Sequence, residues 1–241
     1  MKRKKNLKKL LNLNYVDYTN LTPKCGDLDM PFVKCSKIPQ IDYLATYSQP
    51  STYFKTKNTA VSFFEYDLMF DGLYGLWNAI YYGVKELQQE YIDRFKGVKV
   101  FVAPDYSKLG DSCEVENQHR QFRSRIVGIW LALNLHAIVV PLVSVANISG
   151  MKTMLDGMQM CTVVAFNAKG AMGDVGQLPI FKGSIKYAVE NLPELQEIIV
   201  YSASPDKEKV KGIFEYAIEK GIRIQIPDNM LQSRNRLKGG E

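Results

Sequence analysis

An α/β fold of repeated strand-helix units, with a mainly parallel sheet, follows from three observations. Six short apolar runs recur along the chain, each ends in a polar or charged residue, and amphipathic stretches separate them. The runs are Phe63-Phe64-Glu65-Tyr66-Asp67, Phe101-Val102-Ala103-Pro104-Asp105, Val139 to Ser144, Val163 to Asn167, Ile199-Val200-Tyr201-Ser202 and Ile224-Gln225-Ile226-Pro227-Asp228. Parallel strands read this way when both faces are covered and only their carboxyl ends meet water. Successive right-handed crossovers admit a TIM-like or incomplete barrel, or an open doubly wound sheet as the alternative. Polar ends on every run favour a barrel with one shared mouth, although eight strands are not visible.

The elements between the runs have their own signals. Leu73, Leu76, Trp77, Ile80, Val84 and Leu87 form an apolar stripe at helical spacing over residues 70–95, closed by Gly97. A second helix is expected over 111–134, capped by Asp111 or Ser112, with Val115, Phe122, Ile126, Ile129, Trp130 and Leu133 inward. A short helix near 151–158 follows the third run, and a glycine-rich loop over 169–182 leads from the fourth into a helix at 183–191. Ser204-Pro205-Asp206 reads as cap, first-turn proline and first-turn acid of a helix to Lys220, which Gly221 ends.

Length and charge divide the chain. The 241 residues suit a basic arm at 1–10, an irregular wrap at 11–59 and a single α/β domain over 60–241. Prolines 23, 31, 39 and 50 disfavour long helices in the wrap, and its Tyr43, Tyr47, Tyr53 and Phe54 are expected to cover the sheet. The arm carries Lys2, Arg3, Lys4, Lys5, Lys8 and Lys9 and no acid, which accounts for the whole formal charge of +6. Such an arm suits a phosphate backbone, giving salt-sensitive binding to nucleic acid, and it equally suits a solvated terminus or, through Leu7, Leu10, Leu11 and Leu13, a membrane surface.

Composition excludes several classes. Hydrophobic residues at 46% and charged residues at 23% are those of a folded domain. The cysteines 25, 35, 113 and 161 lack CxxC spacing, and His119 and His136 are the only histidines, so a zinc cage lacks its parts. No apolar run reaches membrane-spanning length and no signal-peptide core follows the amino terminus, so the chain reads as cytoplasmic.

Function is expected at the strand ends. Glu65, Asp67, Asp105 and Asp228 are candidate catalytic carboxylates, with Asp105 and Asp67 as ligands for Mg²⁺ or Mn²⁺ in a phosphoester hydrolase; capping of the following helices is the competing role. Arg120, Arg123 and Arg125 carry planar forks suited to phosphate, and ion pairing with nearby acids is the competing role. Gly173 and Gly176 stand in a loop whose three-residue glycine spacing permits φ > 0 and close approach to an anion. Ser107, Ser144, Asn167 and Ser202 add hydroxyls and an amide at strand ends for orienting a polar ligand.

Asp105-Tyr106-Ser107, Arg123-Ser124-Arg125 with Gly128, Val140-Pro141 with Val143-Ser144, Gly183 and Ile199-Val200-Tyr201 together resemble the domain-of-unknown-function family numbered 4417, over about residues 60–230. The resemblance implies a cytoplasmic bacterial, archaeal or phage protein, often carried by mobile elements, and supplies no reaction. From the residues, the expectation is a protein binding a phosphate-bearing ligand, nucleic acid or nucleotide, at the strand ends. The alternatives are a metal-dependent hydrolase at the same place and a non-catalytic protein that engages a host protein partner.

Overall fold

The computed structural model describes residues 7–36 and 38–238. Among them, seven strands run parallel: β1 (Tyr43–Thr46), β2 (Thr59–Ser62), β3 (Val100–Val102), β4 (Ile138–Val140), β5 (Val163–Asn167), β6 (Glu197–Tyr201) and β7 (Arg223–Gln225). They form two ladders, β1-β2-β3-β4 and β5-β6-β7. Single parallel bridges join the ladders at both edges, Leu142 opposite Ala165 and Tyr43 opposite Asp228. Because only these single bridges connect the two ladders, a closed TIM-like barrel of continuous ladders is not formed, and the incomplete arrangement is the one observed. At the β4–β5 seam Pro141 faces β5, its carbonyl accepting from Ala165 N–H at 2.9 Å, and it has no N–H of its own to extend the ladder.

All six apolar runs lie on strands or their carboxyl ends, and β1 adds a seventh strand from within the stretch expected to be irregular. Alternation sorts the side chains of the first ladder. Leu44, Ala60, Val100, Val102 and Val140 enter one buried cluster, shared with β5 and β6. Tyr43, Ala45, Val61 and Phe101 enter another, beneath the helices α1 (Leu76–Tyr81), α2 (Lys85–Arg94) and α3 (Glu114–Leu135).

Helix boundaries differ from expectation for physical reasons. The single helix expected over 70–95 is broken into a turn at Asp67–Phe70, α1 and α2, because Gly72 and Gly83 adopt φ of 108° and 66°. Leu73 and Val84 of the expected stripe are exposed, as is Val115 of the next. Cys113, not Asp111 or Ser112, stands at the cap position of α3. The expected helix over 151–158 is only a 3₁₀ turn at Ser149–Lys152. Helix α4 (Gln177–Asn191) begins earlier than expected, in the glycine-rich loop. Asp206 is itself the cap of α5 (Lys207–Ile213), accepting from Lys209 N–H at 2.9 Å, and α6 (Glu215–Glu219) follows after Phe214. A last helix, α7 (Met230–Lys238), had no signal read from the sequence. All four cysteines are free thiols. Among the described residues no helix is long and apolar enough to cross a membrane.

Candidate functional site

Asp105, Ser144 and Asn167 follow or end three consecutive strands, β3, β4 and β5, and the parallel register brings them to one rim. They border a cavity of about 430 Å³, completed by Ser107, Lys108, the loop at Gly170 and Ala171, and the α4 residues Gln177 and Ser184. A small-molecule site has this size and this placement at the carboxyl ends of parallel strands. Asn167 Nδ2 donates to Asp105 Oδ2 at 2.7 Å. Burial pushes the Asp105 carboxyl above its ordinary range, against the Asn167 hydrogen bond and the Lys108 charge, with the Asp67 charge adding to the rise.

Lys108 is the principal site residue that sequence reasoning missed. Its Nζ donates to Gln121 Oε1 and to the Ser144 backbone oxygen, both at 2.7 Å. Gln121 is held in that orientation because its own Nε2 donates to Thr153 O at 2.7 Å. Burial lowers the Lys108 amine to about 7, and the Arg125 guanidinium pushes in the same direction, against the charges of Asp105 and Glu114. Arg125 is 2% exposed. It reaches only backbone oxygens, those of Asp156, Leu142 and Met154 at 3.3 to 3.5 Å, and it too is lowered by burial, to about 10.

The other arginines are taken. Arg120 Nε donates to Glu116 at 2.8 Å, and its Nη1 donates to Asp67 Oδ2 and Ser107 O, both at 2.9 Å. Arg123 pairs with Asp71 and lies 4.2 Å over the Tyr106 ring and 5.4 Å from that of Trp77. For these two the competing ion-pair role is the observed one, with Asp67 and Asp71 as unexpected partners beside the expected Glu116. Asp67 also accepts from Ser107 N and Oγ at 3.0 and 2.9 Å, tying the loop after β2 to the loop after β3.

The candidate carboxylates do not converge. Glu65 accepts from Ser48 N–H at 2.8 Å and from the Ser48 hydroxyl, fastening the turn after β1. Asp228 pairs with Lys207 at 3.0 Å and Arg236 at 2.9 Å beside β7. Burial raises its carboxyl, but hydrogen bonds from those two cations more than offset this and leave it below the usual carboxylate range. Among the described residues no group of three or more His, Cys, Asp or Glu side chains is arranged to hold a metal ion. Of the two expected Mg²⁺ or Mn²⁺ ligands, Asp105 is bonded to an amide and Asp67 to an arginine and a serine.

The remaining expected residues divide. Ser107 and Ser144 line the cavity, whereas Ser202 is buried, accepting from Ser204 N–H and donating to the Met172 sulfur. Gly173 and Gly176 stay outside the cavity lining, and neither has φ > 0. The amides of Gly176 and Gln177 already donate to Asp174 Oδ1 at 2.8 and 3.0 Å, so the start of α4 is capped rather than open to an anion. Lys8 pairs with Asp17. Lys2, Arg3, Lys4 and Lys5 lie outside the described residues.

No curated protein and no solved structure matches the chain. One family model does, described as a domain of unknown function and matching residues 23–217, which takes in the cavity, the paired arginines and six of the seven strands. With most of its length matched, the chain belongs to the family of the domain of unknown function DUF4417.

Proposed function

We propose that the protein binds a small phosphate-bearing ligand, of nucleotide size or less, in the cavity at the ends of β3, β4 and β5. The observation that carries this reading is the cavity of about 430 Å³ itself, lined by Ser107, Ser144, Asn167, Gln177 and Ser184, with Lys108 as the basic side chain beside the carboxylates Asp105 and Asp174. Its dimensions suit one small molecule rather than a length of nucleic acid. Arg120 and Arg123 do not contribute, being bound to acids.

Thermal stabilisation tests the reading. A ligand at about 100 times its dissociation constant adds about 2.7 kcal/mol, several degrees for a chain of this length. Mononucleotides or smaller phosphate esters are expected to stabilise the wild type and to lose that effect in Lys108→Met and Asn167→Ala. Stabilisation by oligonucleotides alone, retained in both variants, would overturn it.

A second reading has its own observation. Tyr66, Leu68, Leu73 and Tyr74, beside the loop that Asp67 ties to Ser107, are each at least 75% exposed. Four large apolar side chains exposed within nine residues of sequence are the kind of feature that meets a protein partner. Replacing all four by serine and finding unchanged co-purification with every cellular protein would remove this reading.

A further inference from the structure

We infer that Lys108 is a nucleophilic amine, placed to form an imine with a carbonyl-bearing ligand held in the strand-end cavity. This goes beyond binding and does not depend on a phosphate group. Three features carry it. Lys108 lines the cavity together with Asp105, yet no carboxylate stands within salt-bridge distance of its Nζ among the described residues. Its two hydrogen-bond partners are neutral carbonyl oxygens, and one of them, Gln121 Oε1, is fixed by the bond from Gln121 Nε2 to Thr153 O. A neutral amine has two hydrogens and one lone pair, so donation to both oxygens satisfies the hydrogens and leaves the lone pair uncommitted. Third, Arg125, on α3 one turn beyond Gln121, lines a second, small pocket together with Lys108 and bonds only backbone oxygens. A neighbouring cation and removal from water are the two means by which a lysine becomes an amine near neutral pH.

The groups acting on Lys108 come from every side. Burial first and Arg125 second favour the amine, whereas Asp105 at the end of β3 and Glu114 at the start of α3 favour the ammonium. Asp174, from the loop after β5, lines the same cavity. The net position, about 7, leaves both forms populated at neutral pH.

The step is balanced without an oxidant or reductant. The Nζ lone pair attacks the carbonyl carbon, forming a C–N bond while the C=O π pair moves to oxygen. That oxygen takes a proton from the acid form of Asp105, and the nitrogen returns one to the carboxylate. The hydroxyl of the resulting carbinolamine then takes the proton of the re-formed Asp105 acid and leaves as water while the nitrogen pair forms C=N, and the iminium N–H returns its proton to the Asp105 carboxylate. Overall, amine and carbonyl give imine and water, with Asp105 carrying protons. Burial holds the Asp105 carboxyl toward its protonated form, as this role requires.

The test is reductive trapping on the full chain, using pyridoxal and pyridoxal 5′-phosphate in parallel, each with sodium borohydride, followed by peptide mass spectrometry from pH 6 to 10. At pH 7 Lys108 is expected to label about 10-fold or more faster than the exposed Lys186 and Lys209, because an ordinary lysine is almost wholly protonated there. Its labelling should level off above a midpoint near 7, and in Gln121→Glu that midpoint should move up while the rate at pH 10 stays the same. Labelling spread evenly over exposed lysines, or Lys108 labelling that rises steadily to pH 10, would overturn the inference. Equal labelling by the two aldehydes would keep the imine and sink the phosphate reading. Nucleotide-induced stabilisation with Lys108 unlabelled would do the reverse.

Discussion

Two groups of charged side chains lie side by side at the ends of β2 and β3, and they are solved in opposite ways. In the outer group Asp67 meets Arg120, Asp71 meets Arg123, and Glu116 supports Arg120. In the inner group Asp105 bonds an amide and Lys108 bonds two carbonyl oxygens, so an acid and an amine border one cavity without neutralising each other. Paired charges are fixed by their partners and have little left for a ligand. Partly buried groups without counter-charges lose stability to desolvation, and a cavity beside them gives that loss a use.

The largest expected effect breaks the outer group. Arg123 and Asp71 side chains are each only 13% exposed, so removing one leaves the other charge partly buried. Arg123→Ala is expected to destabilise by about 3–5 kcal/mol, with the Tyr106 and Trp77 contacts contributing to the loss. Urea denaturation checks this; a cost below about 1 kcal/mol would mean the outer group is as free as the inner one.

The next effect is smaller and has a pH signature. Lys108 has a folded pKa of about 7, below the unfolded value, so the unfolded chain binds more protons between those two values. Its contribution is a cost in full below pH 7 that fades as pH rises toward the ordinary lysine value. The stability of wild type relative to Lys108→Met should therefore rise between pH 6 and 10, by on the order of 3 kcal/mol. A difference flat across that range would place Lys108 with the paired charges. Taking the difference removes the opposing contributions of Cys35 and the buried tyrosines, whose pKa values burial raises.

Asp105→Asn should sharpen the contrast from the acid side. The raised carboxyl makes ionised Asp105 a cost at neutral pH, one that vanishes as pH falls below the unfolded value. The variant is expected to be more stable than wild type by about 1 kcal/mol at pH 7, with the gap closing on acidification. A destabilised variant would mean that the bond to Asn167 outweighs desolvation.

The inner group was half legible in the sequence. Asp105, Ser144 and Asn167 could be placed because each ends or closely follows a strong apolar run, and parallel strands bring such ends together. Lys108 could not, since it lies in an irregular segment after β3 where no periodicity assigns a direction. The signal that was available is position alone: a lysine within a few residues of a strand's carboxyl end. The arginines were legible as a pair on α3, but their partners come from the turn after β2, about fifty positions earlier. Asp67 and Asp71 are four apart and Arg120 and Arg123 three apart, spacings that each match one helical turn, and only the crossover geometry reveals that the two turns face one another. Strand β1 escaped because its four residues sit among prolines and end in Thr46 rather than in a charge. Continuous pairing stops at Pro141, whose missing donor matters only once β4 and β5 are known to meet there.

The smallest effect concerns Lys8 of the basic arm, which belongs with the paired charges. Lys8 already meets Asp17, and both side chains are at least half exposed, so Lys8→Gln should cost no more than about 0.5 kcal/mol in stability. The informative measurement is the salt dependence of oligonucleotide binding, followed by fluorescence anisotropy. A lysine that contacts a phosphate contributes about 0.7–0.9 to the slope of log affinity against log salt. Lys8→Gln is expected to change the slope by less than that, because Asp17 competes for the same ammonium. A fall of nearly one would show that Lys8 leaves Asp17 for phosphate. Pairing would then no longer separate structural charges from binding charges in this part of the chain, and the contrast drawn between Arg123 and Lys108 would hold only where the partners are shielded from water.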